Sequence, residues 1–410
     1  MTNPQNEFDT TPEISAEAEV DTAAEAVETA QEEPTEGEAK TEKPKKSKKK
    51  LVLRILLIIL IVLLSLTLIA GGVVTWMYYQ GRSELLVEEV PDITPPEEIV
   101  DYNDGERVVY NGVTYEYNKN VTAVLVVGVD KTDIQEDSVY GQNGQADTLF
   151  LATLDTESGD INIIPLSRET LVDVDQYAVD GTYLGVQKTQ LCLAYAYGSN
   201  GEEGCKNVVR SVSRLLYGIP INSYLAIDMD GVREITDAIG GVPLKALEDV
   251  YHPFTKKIVT EKGKNITLTG RQALIYMRYR GDDAQANNRR MQRLKQFFTA
   301  FINRSGSQLK KNLDLLPTYY NTAKPYTVTD LNLSKITYLV GCTLTGNNWK
   351  DPTYLSIKGE AVKGEKYNEF HADTTSAFEA VLAAFYTKVE GETPTTTTTE
   401  PAETAEPTEE

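Results

Sequence analysis

The chemistry available to this sequence rests on a small set of aspartates and arginines at the ends of its apolar runs. Asp130 closes the β-branched run VTAVLVVGVD, and Asp147 opens a second, DTLFLATL. If the two runs are neighbouring strands, their carboxylates lie close enough to share one hard cation such as Mg2+. Asp at a strand end is also ordinary turn chemistry. Arg168 ends a third run in PLSRET, near the same sheet edge. Arg278 and Arg280 lie two apart in YMRYR, which puts them on one face only if the chain there is extended. Arg289, Arg290 and Arg293 follow at the start of a helical stretch, and Arg290 and Arg293, three apart, share a helix face. The free N–H groups and macrodipole at a helix start favour an anion there. Guanidinium forks with a divalent cation are equipment for a diphosphate. Solvated surface charge and structural ion pairs are the competing account of the same residues.

Other machineries are excluded by residue type. The only histidines, His252 and His371, stand in no nucleophile or metal-ligand motif, and there is no P-loop or GxGxxG fingerprint. Of Cys192, Cys205 and Cys342, the first two are closest in sequence and could pair; three buried thiols are the alternative.

The elements that must position these groups read as an α/β domain. Val121–Asp130, Thr148–Leu154 and Ile161–Leu166 have strand composition, the last two joined through the turn Glu157-Ser158-Gly159-Asp160. Helical periodicity covers Val208–Tyr217, Val232–Ile239 and Arg289–Ile302, and Thr269 with Gln272 forms a capping box that starts a helix running to about Met277. Interleaved strands and helices point to a central mixed sheet with helices on both faces, a three-layer α-β-α sandwich. Ahead of it, ILLIILIVLLSLTLIAGGVVTW (55–76) is uncharged and at roughly 1.5 Å per residue spans about 30 Å of hydrocarbon.

Lysines crowd the near side of that span at 43–50, and glutamates follow it, so the N-terminus is expected in the cytoplasm and the bulk outside, a single-pass cell-membrane topology. The formal net charge of −21 is uneven, since residues 1–39 carry no Lys or Arg. The expected organisation is a disordered acidic then basic tail (1–50), a transmembrane helix (51–79), a proline-rich stalk ending in a small hairpin around Asn111-Gly112 (80–120), one domain (121–390) and a low-complexity Thr/Pro/Glu tail (391–410).

From about Val121 to Ile302 the ordered motifs VLVVGVD, ADTLFLATLD, IIPLSRETLVDV, QLCLAYAYG, LLYGIPINSYLAIDMDGVREITDAIGGVPL, LTGRQALIYMRYRGDD and NNRRMQR resemble the LytR-CpsA-Psr family of cell-wall glycopolymer ligases. The resemblance implies an apolar tunnel for a polyprenyl chain and a mouth where arginines and Mg2+ hold a pyrophosphate. It implies Asp130 and Asp147 as metal carboxylates, and Arg168, Arg278, Arg280, Arg290 and Arg293 as pyrophosphate ligands; Asp130, Asp147, Arg168, Arg278 and Arg280 would be catalytic. The implied reaction is attack by a peptidoglycan hydroxyl on a polyprenyl-pyrophosphate-linked anionic or capsular glycopolymer, forming a phosphodiester. The sequence departs from the family pattern at Ser167 and Glu169 beside Arg168, at Gln145 and Gln190 where cations are usual, and at Leu294 where Gln is usual, with Gln292 and Gln296 nearby. Those departures keep a non-catalytic lipid-glycan binding role open. Nucleic acid is not an expected partner, because the cytoplasmic part is only an acidic tail with a short basic run.

Overall fold

The computed structural model describes residues 48–86, 100–102, 105–280, 286–345, 351–364 and 367–389. The acidic tail, most of its basic flank, the proline-rich part of the stalk, the Gly281-Asp282-Asp283 end of YMRYRGDD and the C-terminal tail lie outside the described residues.

Six strands form the central sheet: β1 (Val121–Val129), β2 (Ala146–Asp155), β3 (Ile161–Leu166), β4 (Ser223–Ile227), β5 (Thr327–Thr329) and β6 (Thr353–Tyr354), in the order β5-β4-β1-β2-β3-β6. The β1/β4 and β3/β6 pairs are parallel and the rest antiparallel, so the sheet is mixed. The helices are α1 (Lys48–Leu85), α2 (Gly201–Leu215), α3 (Met229–Ala238), α4 (Gly270–Arg278), α5 (Ala286–Lys311), α6 (Leu315–Ala323), α7 (Leu333–Thr345) and α8 (Thr374–Phe385). Several run longer than periodicity suggests. Asn200 caps α2 through Glu203 N, and Asp228 caps α3 through Gly231 N, adding polar first turns that carry no apolar stripe. The Thr269–Gln272 capping box forms as expected.

Strict alternation in β1 sends Ala123, Leu125, Val127 and Val129 to one face, where they pack with Val208 and Val212 of α2 and Phe378, Val381 and Phe385 of α8. The opposite face is only half-buried. There Phe150 meets Phe298 of α5, centroids 4.6 Å apart. A second core, with Tyr276, Phe297 and Leu268, joins α4 and α5 to the strand pair Val242–Lys245 and Asn265–Leu268.

One irregularity matters for the site. Gly128 pairs with Thr148 and Val129 with Ala146, so Asp147 is the extra residue of a β-bulge. A bulge turns a strand-end side chain out of the ladder. Asp130 lies on the adjoining strand end, its N–H donating to Gln145 O at 3.2 Å.

In α1 the consecutive residues Leu56, Leu57, Ile58 and Ile59 are all exposed, so the helix is apolar on every side, the pattern of a helix surrounded by hydrocarbon. It is the one helix among the described residues long and apolar enough to cross a bilayer. It also runs past the expected end at 79, because its last turns pack on α7: the Tyr78 and Tyr338 rings are 5.0 Å apart, and Gly81 faces Ser334 O so closely that a Cβ would have no room.

The hairpin placed in the stalk belongs to the folded domain. Strands Arg107–Tyr110 and Val113–Tyr117 turn through Asn111 and Gly112, both at positive φ, and the second of them pairs with Tyr386–Lys388. Buried Tyr386 stacks edge-on with Tyr117 and donates to Gly105 O at 2.8 Å. The three cysteines are buried free thiols. If residues 105–117 are integral to the domain, Tyr386→Ala lowers its stability by about 3 kcal/mol and Tyr386→Phe by about 1 kcal/mol. Denaturant unfolding of the full chain in detergent measures both, and unchanged midpoints would return this hairpin to a loose stalk.

Candidate functional site

A cavity of about 820 Å3 lies between the ends of β2 and β3, the first turns of α5 and the paired strands Gly359–Lys363 and Asn368–Ala372. Asp147, Arg168, Glu169, Arg280 and Arg290 form its charged wall. Leu149, Leu166, Met291, Leu294, Ile357 and Phe370 form its apolar wall. One chamber therefore offers room for an anion and for a hydrocarbon.

Each strand-end carboxylate is met by an arginine. Arg168 donates to Asp147 through Nη1 and to Gln145 Oε1 at 3.2 Å through Nη2. Gln145 thus orients the fork but adds no charge. Arg278 Nη2 stands 4.0 Å from Asp130 Oδ1, with both side chains more than half exposed. Arg278 is the last residue of α4 and Tyr279 leaves the helix with ψ 131°, which sends Arg280 into the cavity wall while Arg278 stays by Asp130.

Arg280 and Arg290 have no ion-pair partner among the described residues, and Arg290 Nε is buried without a hydrogen-bond acceptor. Burial, then the positive charges of Arg280 and Arg168, hold the Arg290 guanidinium below its ordinary pKa, with Asp147 and Glu169 only partly opposing them. A buried N–H without an acceptor is costly unless a ligand supplies one.

Arg293 is elsewhere. The spacing put it on one face with Arg290, but its guanidinium is 1% exposed and does not line the cavity. It donates to Tyr276 O at 2.7 Å and to Tyr279 O, pairs with Glu248, and lies 5.8 and 5.6 Å from the Tyr276 and Tyr279 ring centroids. Burial draws its pKa down to about 10, still charged at neutral pH, so the partner is needed. Its place is under the C-terminal end of α4, holding the segment that carries Arg278 and Arg280.

Sequence reasoning missed Glu248, which also accepts from Arg289 Nε at 3.0 Å; it lies in a loop far from both arginines, with no local pattern to mark it. It also missed Lys295 in the cavity wall. Leu294, one turn beyond Arg290, joins the apolar wall, while Gln296 turns away to accept from Tyr276 Oη and donate to Lys245 O, and exposed Gln292 is not in the wall. Gln190 donates to Asn368 O at 2.6 Å and braces a cavity strand from outside.

Asp130 and Asp147 could hold a metal ion. No group of three His, Cys, Asp or Glu side chains suited to a metal occurs among the described residues. Asp130 and Asp147 are the two carboxylates at adjoining strand ends, the kind of hard oxygen donor Mg2+ takes, and each also faces an arginine.

The fold is thus a mixed α/β sheet with a cavity at its strand ends that has an arginine-bearing wall and an apolar one. The chain belongs to the LytR_cpsA_psr family, whose model matches residues 97–383. It is 30% identical over 199 residues to the Bacillus subtilis (strain 168) polyisoprenyl-teichoic acid–peptidoglycan teichoic acid transferase TagV, a match covering 47% of this chain and 46% of that one. It is 26% identical over 245 residues to the transferase TagU of Bacillus cereus (strain AH820), covering 58% and 68%. The chain thus spans just under half the length of TagV and about two thirds of TagU. Its fold is similar to crystal structures of a Streptococcus agalactiae protein (TM-score 0.51, 18% identity, 67% and 91% of the two chains) and of an Enterococcus faecalis protein described as a transcriptional regulator (TM-score 0.50, 21% identity, 64% and 85%).

The separate placements of the two helix arginines predict opposite consequences. Arg293→Ala leaves Glu248 without its buried partner and lowers stability by about 3 to 5 kcal/mol. Arg290→Ala leaves the melting temperature unchanged or higher, because it removes a like charge from the cluster. Thermal unfolding of the full chain reads both, and equal losses would erase the distinction.

Proposed function

We propose that this protein is an extracytoplasmic phosphotransferase that moves a glycopolymer from a polyprenyl-pyrophosphate carrier to a peptidoglycan hydroxyl. The observation that carries this reading is the Arg290 guanidinium, its Nε buried without an acceptor, in one cavity wall with Arg280 and Arg168 and only two carboxylates, Glu169 and an Asp147 already engaged by Arg168. Such a surplus of positive charge beside an apolar wall suits a ligand that is a diphosphate at one end and a hydrocarbon at the other. The named relatives are transferases of polyisoprenyl-teichoic acid, and a polyisoprenyl chain is such a hydrocarbon.

In the proposed reaction the acceptor oxygen bonds to the sugar-side phosphorus. The bond from that phosphorus to the bridging oxygen breaks, and polyprenyl phosphate leaves. Arg280 and Arg290 stabilise charge on the transferring and leaving phosphates, and Arg168, held by Asp147 and Gln145, presents its fork at the same wall. The hydroxyl proton goes to a carboxylate at the strand ends, Asp130 or Asp147. Asp130 and Asp147 are also the residues that would hold Mg2+, which supplies charge neutralisation to the diphosphate oxygens. The lysines at 43–50 support a topology with the N-terminus in the cytoplasm and the domain outside. A non-catalytic binding role is the rival, favoured by Gln145, which contributes an amide where a cation would strengthen the site.

Turnover of a synthetic prenyl-pyrophosphate glycan separates the two: the full chain transfers the glycan, and Arg278→Ala/Arg280→Ala abolishes transfer with little change in melting temperature, since exposed Arg278 contributes little to stability. Binding without turnover by wild-type protein supports the rival. For the metal, Asp147→Asn is expected to weaken Mg2+-dependent binding of prenyl pyrophosphate far more than that of prenyl monophosphate. Equal pyrophosphate affinity of both proteins at saturating Mg2+, unaffected by chelator, would leave the arginines as the sole phosphate ligands.

A further inference from the structure

Outside the central sheet, strands Leu171–Tyr177 and Tyr183–Gln190 form a separate hairpin. Both strands meet the cavity at the hairpin's base: Thr170, just before it, lines the wall, and Gln190 at its close donates to Asn368 O of a wall strand. Seven residues at roughly 3.3 Å each carry it about 20 Å from the mouth. Its far end bears a row of tyrosines. Tyr140 stacks on Tyr177 with centroids 5.2 Å apart, and Tyr183 meets Tyr177 at a tilt of 52° with centroids 5.3 Å apart. Register places Tyr177, Tyr183 and Val186 on one face, and Val139, Val179, Tyr183, Leu184 and Val186 are between 42% and 71% exposed.

The row is held in place. Tyr140 Oη donates to Glu203 at 3.2 Å and Tyr183 Oη to Asp175 at 3.4 Å. Asp175 is in turn fixed by Arg210 and Arg214, and Lys206 is paired with Glu202. Rings held by their hydroxyls lose little freedom when something settles on them. An apolar patch of this kind on a folded domain marks an interaction surface.

We propose that this tyrosine row, with the hairpin leading from it to the cavity, is the docking track for the acceptor glycan strand; this rests on the phosphotransfer reading above. The acceptor hydroxyl has to reach the cavity mouth, so the rest of its polymer must lie on a surface continuous with that mouth, and the base of the hairpin is continuous with it through both strands. Sugar rings present C–H faces that settle on aromatic and aliphatic side chains, and hydroxyls that bond to carboxylates and amides, both of which this surface offers. Arg210, Arg214 and Lys206 are paired with carboxylates, which leaves Lys188, directly across the hairpin from Asp173, as the cation a polyanion would meet there; the anionic donor polymer is therefore the less favoured occupant.

The test is co-sedimentation of the full chain in detergent with purified sacculi stripped of protein and of attached polymers, together with the acceptor KM in the transfer assay. Tyr183→Ala, at an exposed position, is expected to keep the wild-type melting temperature and to weaken sacculus binding about three- to tenfold, the size of one aromatic contact. Tyr183→Trp keeps binding, and the donor KM stays unchanged in both. Equal binding by wild type and Tyr183→Ala, or retention only by sacculi that still carry protein, would overturn the track. Sedimentation needs no turnover, so a Tyr183-dependent but inactive protein sinks the phosphotransfer reading alone.

Discussion

Three guanidinium groups, those of Arg168, Arg280 and Arg290, converge on one cavity with a single carboxylate, Asp147, directly engaged among them. Like charges this close repel, and burial raises the cost, as the lowered pKa of Arg290 records. The surrounding structure has to hold them together in the absence of a ligand. It does so by attaching each to a different rigid element: Arg168 to the end of β3, Arg280 to the segment after α4, Arg290 to the first turns of α5. The charge of the chain as a whole, −21, makes this local surplus a placed feature rather than a reflection of composition.

The buried Arg293–Glu248 pair is the means by which two of those elements are locked to each other. Arg293 stands on α5 but donates to carbonyls at the end of α4, so the helix bearing Arg290 grips the segment bearing Arg280. A buried pair of this kind is weak evidence for net stability, but breaking it is severe, and its geometry fixes a relationship that apolar packing would leave looser. The bulge at Asp147 plays the matching part on the sheet side, rotating one carboxylate out of the ladder toward Arg168.

The sheet then divides the labour between its faces. The face toward α2 and α8 is sealed and carries the main core. The face toward α5 is half-buried, and the cavity opens at its end, where Leu294 in place of a polar residue extends the hydrocarbon wall. The long α1 is apolar all round over its span, and its last turns pack on α7 through Tyr78 and Gly81. That packing ties the end of the apolar helix firmly to the domain beyond it.

Much of this was legible from residue order alone. The apolar helix, the first three strands, the capping box at Thr269 and the gathering of Asp130, Asp147, Arg168 and Arg280 at strand and helix ends follow from periodicity, propensity and ordered motifs, which are local properties. What only the tertiary structure decided is where each side chain goes once elements pack. Arg290 and Arg293 are three residues apart on one helix, yet one enters the cavity and the other is buried under α4, because Glu248 and the α4 carbonyls, distant in sequence, meet that helix on one side only. The hairpin before β1 read as stalk because its partner strand, Tyr386–Lys388, lies at the opposite end of the domain. Spacing along the chain determines which face of an element a residue occupies; what waits on that face is set by long-range pairing, and no local pattern encodes it.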